Sequence, residues 1–182
     1  ALDGVSFDLG AGEVHALCGE NGAGKSTLIK VLSGIHPHGS YEGEILVDGR
    51  PAAFASIADA ENAGIAVIYQ ELALIGGMTV AENVFLGAEP RSGALIDWHT
   101  MYADTRRLLD EYDLALDPTA RVADLGIGQQ QLVEIVKALA KDSTILLLDE
   151  PTAALTEAEV ERLLGIVERL RERGITCVYI SH

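Results

Sequence analysis

Two rhythms of apolar residues alternate along this chain. Nearly continuous apolar runs at 13–18, 65–69, 144–148 and 175–180 predict strands, most of them buried on both faces. Between them apolar residues recur every three or four positions, the period of a helix with one buried stripe. Leu28, Ile29, Val31 and Leu32 predict a helix that stops at Gly34, and 57–62 predicts a short one closed by Ala63 and Gly64. Val80, Ala81, Val84, Phe85 and Leu86, then Met101, Leu108, Leu109 and Tyr112, predict an all-helical insertion punctuated by Pro90 and Pro118. Leu132, Ile135, Val136 and Leu139 continue the helical spacing. The last helix has a marked start, because Thr156 and Glu159 fit a capping box ahead of Val160, Leu163, Leu164, Val167 and Leu170. Two further strands are expected: 2–9, turning at Gly10-Ala11-Gly12, and 44–47, ending in the turn Asp48-Gly49. Strands and helices in alternation predict an α/β fold.

The first run empties into Gly19-Glu20-Asn21-Gly22-Ala23-Gly24-Lys25-Ser26-Thr27, which fits G-x-x-x-x-G-K-[ST] between a strand and a helix. Its glycines let successive backbone N–H groups point at one anion, and the helix start adds partial positive charge. In such a loop Lys25 reaches the β- and γ-phosphates of a nucleotide, and the Ser26 hydroxyl binds Mg²⁺. Gln70 and Glu71 follow the 65–69 run, at the strand end where ligands of open α/β sheets gather. Leu125-Gly126-Ile127-Gly128-Gln129-Gln130-Gln131 opens a helix and offers a second anion-binding N-terminus. Asp149 and Glu150 close the 144–148 run. Adjacent acids at the end of an interior strand, beside a phosphate loop, point to a Mg²⁺ and water site. Asp149 would face the metal and Glu150 the attacking water. The final run presents Ser181 and His182.

Composition narrows the partners. A net charge of −15, from 13 basic and 28 acidic side chains in 182 residues, opposes nucleic-acid binding, which needs a basic face. A phosphate site is local and is compatible with that balance. Cys18 and Cys177 lie in apolar runs and read as reduced, buried thiols. His36 and His38 sit in a turn-rich stretch without further metal ligands nearby. No apolar run approaches the ~20 residues of a membrane span. Both ends look cropped: there is no initiator Met, and no helix follows the last strand.

Taken in order, the phosphate loop, Gln70, the 125–131 segment, the Leu148–Glu150 strand end and His182 resemble the nucleotide-binding domain of ABC transporters over essentially the whole chain. The resemblance implies a P-loop NTPase fold: a mixed, mainly parallel sheet, an N-terminal antiparallel β region and a helical subdomain. It divides the chain into a core of 1–77 and 140–182 and a helical part of about 78–139. The run from Gly128 to Ile135 looks like the monosaccharide importers, in which two such domains are fused and the first keeps the catalytic Glu. The stretches 18–22 and 37–45 look most like importers of D-xylose.

By this resemblance, Gly19, Glu20, Asn21, Gly22, Ala23, Gly24, Lys25, Ser26 and Thr27 hold ATP. Ser26, Gln70 and Asp149 attend Mg²⁺, Glu150 deprotonates the water, and His182 bonds the γ-phosphate. Gly126, Ile127, Gly128 and Gln129 would meet ATP held by the second ATPase domain, so that each site is shared. The implied partners are that domain, transmembrane permease subunits reached by about 71–83 and, indirectly, an external sugar-binding protein. The implied place is the cytoplasmic face of the inner membrane. Two positions depart from the family pattern. Leu-Ser-Gly-Gly-Gln reads Leu125-Gly126-Ile127-Gly128-Gln129, which removes a hydroxyl donor, and Ser-Ala-Leu-Asp reads Ala153-Ala154-Leu155-Thr156, which removes an acid. Rival readings are a soluble ABC protein acting on ribosomes or DNA, which the acidity disfavours, and a nucleotide-binding module without turnover, which Glu150 and His182 oppose.

Overall fold

The four principal apolar runs become one parallel sheet in the computed structural model, which describes residues 2–181. Strand β1 (Val14–Cys18) pairs with β8 (Thr176–Ser181), β8 with β7 (Ile145–Asp149), and β7 with β4 (Ile65–Ile68). All three pairings are parallel, and helices cover both faces. The register sorts side chains with a period of two. Leu146, Leu148, Cys177 and Ile68 enter the core under helices α5 (Ile127–Leu139) and α6 (Glu157–Glu172). Leu147, Val178, Ile180 and Ile65 enter the opposite core with Ile29 of α1 (Lys25–Leu32) and Ala60 of α2 (Ile57–Asn62). Burial on both faces is why these runs lack polar alternation.

Helix boundaries follow local capping chemistry. Ser56 and Asp59 form a capping box at α2, and Thr156 and Glu159 form the expected one at α6. Helix α1 ends at Ser33 because Gly34 takes φ +74° and lies so close to the backbone at the start of α2 that a Cβ there would sit 2.3 Å from the Ser56 carbonyl oxygen. The Asp48-Gly49 turn joins β2 (Ile45–Val47) and β3 (Arg50–Ala52) in an antiparallel hairpin, with φ of 51° and 72° at its two centre residues.

Three expectations are corrected. Residues 2–9 form no strand, because no neighbouring strand pairs with them; Val5 and Phe7 are exposed, and Phe7 stacks on His15. Leu9 packs against the core under α1, and the turn after it is tied down, with the Gly12 N–H donating to Thr176 Oγ1 at 3.0 Å. The insertion after β4 is not all helical. Between α3 (Val80–Val84) and α4 (Trp98–Glu111) it holds a small hairpin of β5 (Arg91–Ser92) and β6 (Leu95–Ile96). Cys177 is buried as expected, but Cys18 is exposed, because β1 is an edge strand whose residues alternate between exposed and half-buried.

Candidate functional site

The loop between β1 and α1 curls into a shape that can take an anion. Gly22 and Gly24 take φ of 84° and 99°, a left-handed backbone that glycine alone adopts without strain. The Ala23 N–H closes a turn on the Glu20 carbonyl at 3.2 Å, and Gly24 caps α1 with no side-chain bond to its first amides. Those amides face the loop at the positive end of the helix. Lys25 folds back over the curl, its ammonium donating to the carbonyls of Gly19 and, at 3.2 Å, Glu20. A cleft of about 280 Å³ results, lined by Glu20, Asn21, Gly22, Gly24, Lys25, Ser26, Thr27 and Glu150.

Glu150 reaches that cleft because it occupies the turn after β7, with its backbone N–H donating to the Ile180 carbonyl at 3.2 Å and its φ at +49°. Asp149 precedes it at the end of β7, half-buried. Burial raises its pKa above the ordinary aspartate value, the Glu150 charge adds to that, and the Lys25 ammonium opposes both. Seven of the nine sequence-predicted loop residues thus meet Glu150 in one place, while Gly19, Ala23 and Asp149 do not line the cleft. Gln70 lies exposed just past β4 and does not line the cleft. His182 lies outside the described residues.

Gly126, Ile127, Gly128 and Gln129 stand elsewhere, at the start of α5. Gly126 is the N-cap, and its N–H donates to Gln129 Oε1 at 3.3 Å. Gly128 abuts α6, where a Cβ would lie 3.2 Å from Glu159 Oε1. Glu159 is held below the ordinary carboxylate range, chiefly by the Thr156 N–H, then by the Thr156 hydroxyl, with a further contribution from the Gly128 N–H. Within this chain none of these four residues lines the cleft.

The three consecutive glutamines do three different things. Gln129 closes the cap, Gln130 Nε2 donates to the Val122 and Leu125 carbonyls at 3.3 and 3.0 Å, and Gln131 Nε2 donates to the Pro151 carbonyl at 2.5 Å. The last contact touches the turn carrying Glu150 and had no assigned role from sequence. Its one signal was a polar residue four positions before Ile135 on the buried stripe of α5.

The sequence pattern of the ABC transporter family matches residues 2–153. The chain is 60% identical over all 182 residues to the xylose import ATP-binding protein XylG of Moorella thermoacetica. It spans about a third (36%) of that relative's length. Among solved structures, it resembles the ADP conformation of an ATP-binding cassette of an ABC transporter, with a TM-score of 0.82 and 28% identity over the whole of this chain and 75% of that one. It also resembles a cassette in a dimeric post-hydrolysis state bound to ADP and Pi, with a TM-score of 0.74 and 25% identity, covering 97% of this chain and 77% of that one. The family's sequence pattern covers most of the residues and the solved cassettes share the fold, and this chain belongs to the ABC transporter family.

Proposed function

We propose that this chain is the ATP-binding and ATP-hydrolysing domain of a monosaccharide importer, with D-xylose the favoured sugar. The observation that carries the hydrolytic reading is the cleft itself, where a phosphate cradle and Glu150 face one space. The sugar rests on the likeness to the xylose import protein, since no residue of this domain would touch it.

In this reading the backbone amides of Gly19 to Thr27 bind the triphosphate. Lys25 leaves the Gly19 and Glu20 carbonyls to pair with the β- and γ-phosphates. Glu150 orients a water in line with the γ-phosphate and takes its proton, while His182 bonds the same phosphate. ADP leaves with the electrons of the broken P–O bond, and inorganic phosphate carries the water oxygen. The donor types suit Mg²⁺: the Ser26 hydroxyl on the cleft, the Asp149 carboxylate at the end of β7 and the Gln70 amide just past β4 are hard oxygen ligands. Asp149, pressed by burial and by Glu150, is a group that a cation would relieve. Bound there, the ion would neutralise phosphate charge.

The core of 1–77 and 140–182 would hold the nucleotide. The helical part of about 78–139 would offer Gly126 to Gln129 to ATP on a second ATPase domain, fused in the same polypeptide. That Gly126 to Gln129 lie off this chain's own cleft supports a shared site. Residues 71–83 would meet the permease at the cytoplasmic face of the membrane, with a sugar-binding protein on the far side. No helix among the described residues is long and apolar enough to cross a membrane.

The test uses the full-length protein assembled with its permease. Glu150→Gln is expected to bind ATP normally and to slow turnover by about 10²–10⁴-fold. Lys25→Ala is expected to weaken nucleotide binding itself. Turnover near the parent rate for Glu150→Gln removes that residue from the role of base. Uptake of labelled D-xylose into vesicles, compared with other monosaccharides, decides the sugar.

A further inference from the structure

The turn that carries Glu150 is gripped by two side chains outside the phosphate site. Glu150 holds φ +49°, a left-handed conformation that a residue with a Cβ rarely adopts and that persists only where neighbours enforce it. The next two residues are each clamped from another element. Gln131 Nε2, on α5, donates to the Pro151 carbonyl at 2.5 Å, and the Tyr179 hydroxyl, on β8, donates to Thr152 Oγ1 at 3.0 Å. Gln131 is 6% exposed, and its Oε1 has no hydrogen-bond partner among the described residues. A buried amide with half its capacity unmet is a poorer core residue than Met or Leu of similar size. Packing alone does not account for a glutamine here; the bond to Pro151 does.

We infer that Gln131 and Tyr179 are positioning residues that hold Glu150 at the cleft. Gln131 ties the Glu150 turn to the helix whose first residues are Gly126 to Gln129. Glu150 is therefore placed by the element that, in the proposed function on which this inference rests, meets the partner domain's ATP.

The experiment compares parent, Gln131→Met, Glu150→Gln and the double variant, each full-length with its permease, by kcat, KM for ATP and Tm. Gln131→Met removes the donor and keeps the volume. It is expected to lower kcat about ten- to hundredfold, the order of effect of a misplaced catalytic group, with KM within about twofold. Its Tm should stay level or rise, because the half-satisfied amide is gone. Combined with Glu150→Gln it should cost nothing more, since both act through one group. A purely structural glutamine predicts the reverse: a lower Tm with kcat unchanged. Parent-like kcat in Gln131→Met, or an added loss in the double variant, overturns the inference. If Gln131→Met does not fold, Tyr179→Phe interrogates the same turn; a several-fold fall in kcat supports the clamp and an unchanged kcat overturns it. Parent-like turnover of Glu150→Gln instead overturns the base assignment, a separate result from parent-like Gln131→Met over an inactive Glu150→Gln.

Discussion

Asp149 is held in a state that disfavours its own charge. Burial, and then the neighbouring Glu150, raise its pKa above the ordinary 3.8, against the pull of Lys25. The folded chain therefore holds this proton more tightly than the unfolded chain does. The stability contributed is full below the ordinary value and is lost as pH rises through the folded value. Asp149→Asn, which cannot ionise, should melt at a higher temperature than the parent at pH 7 without nucleotide or Mg²⁺. The gain should narrow as pH falls toward 3.8. Melting curves across that range test this, and a gain independent of pH would place its cause outside the carboxyl group. Strain of this kind is typical of sites built for a ligand rather than for stability. The acid pair was legible because polar residues end an apolar run. Cys18 was not legible in the same way. Its run resembles that of Cys177, whose thiol burial pushes up to about 11, but β1 lies at the sheet edge and β8 lies inside. Position in the sheet, which no local pattern encodes, separates the two.

At the scale of elements, Thr156 shows how one family departure acquires a local meaning. It stands where the family pattern has Asp, and it caps α6: its Oγ1 accepts from the Glu159 N–H while its own N–H and hydroxyl donate to Glu159 Oε2 at 2.9 and 2.8 Å. Thr156→Ala should cost about 1 kcal/mol in urea unfolding, whereas Thr156→Asp, also a good cap, should be nearly neutral. A loss as large for Asp as for Ala would mean that the hydroxyl bond to Glu159, rather than the cap, carries the effect. Elements with such local signals were readable to the residue: 57–62 was expected and Ile57–Asn62 is found. Elements without them were not. The β5–β6 hairpin has two residues per strand, too few to display a period, and 2–9 has strand alternation but no partner. A strand exists only by pairing, and pairing is decided at long range.

At the scale of the whole molecule, one chain carries the cradle and Glu150 at one place and the Gly126 to Gln129 helix start at another. In the proposed function a single copy then holds parts of two sites. In isolation this chain is expected to bind ATP and to hydrolyse it at a rate per chain that rises with chain concentration. A rate per chain independent of concentration over a wide dilution series would mean that one copy holds a complete site. The net charge of −15 sets copies against each other at low ionic strength, so this rise should be steeper when added salt screens them. The residues alone determined the α/β alternation, the glycine-rich loop ahead of α1, the acid pair ending β7 and the capped helices, because each depends on chain neighbours a few positions apart. Only the tertiary structure decided the strand order, the exposed edge at Cys18, the separation of Gly126 from the cleft, and the grip of Gln131 on a turn 20 residues away. Those follow from which surfaces pack together, a balance of burial and pairing summed over the entire chain.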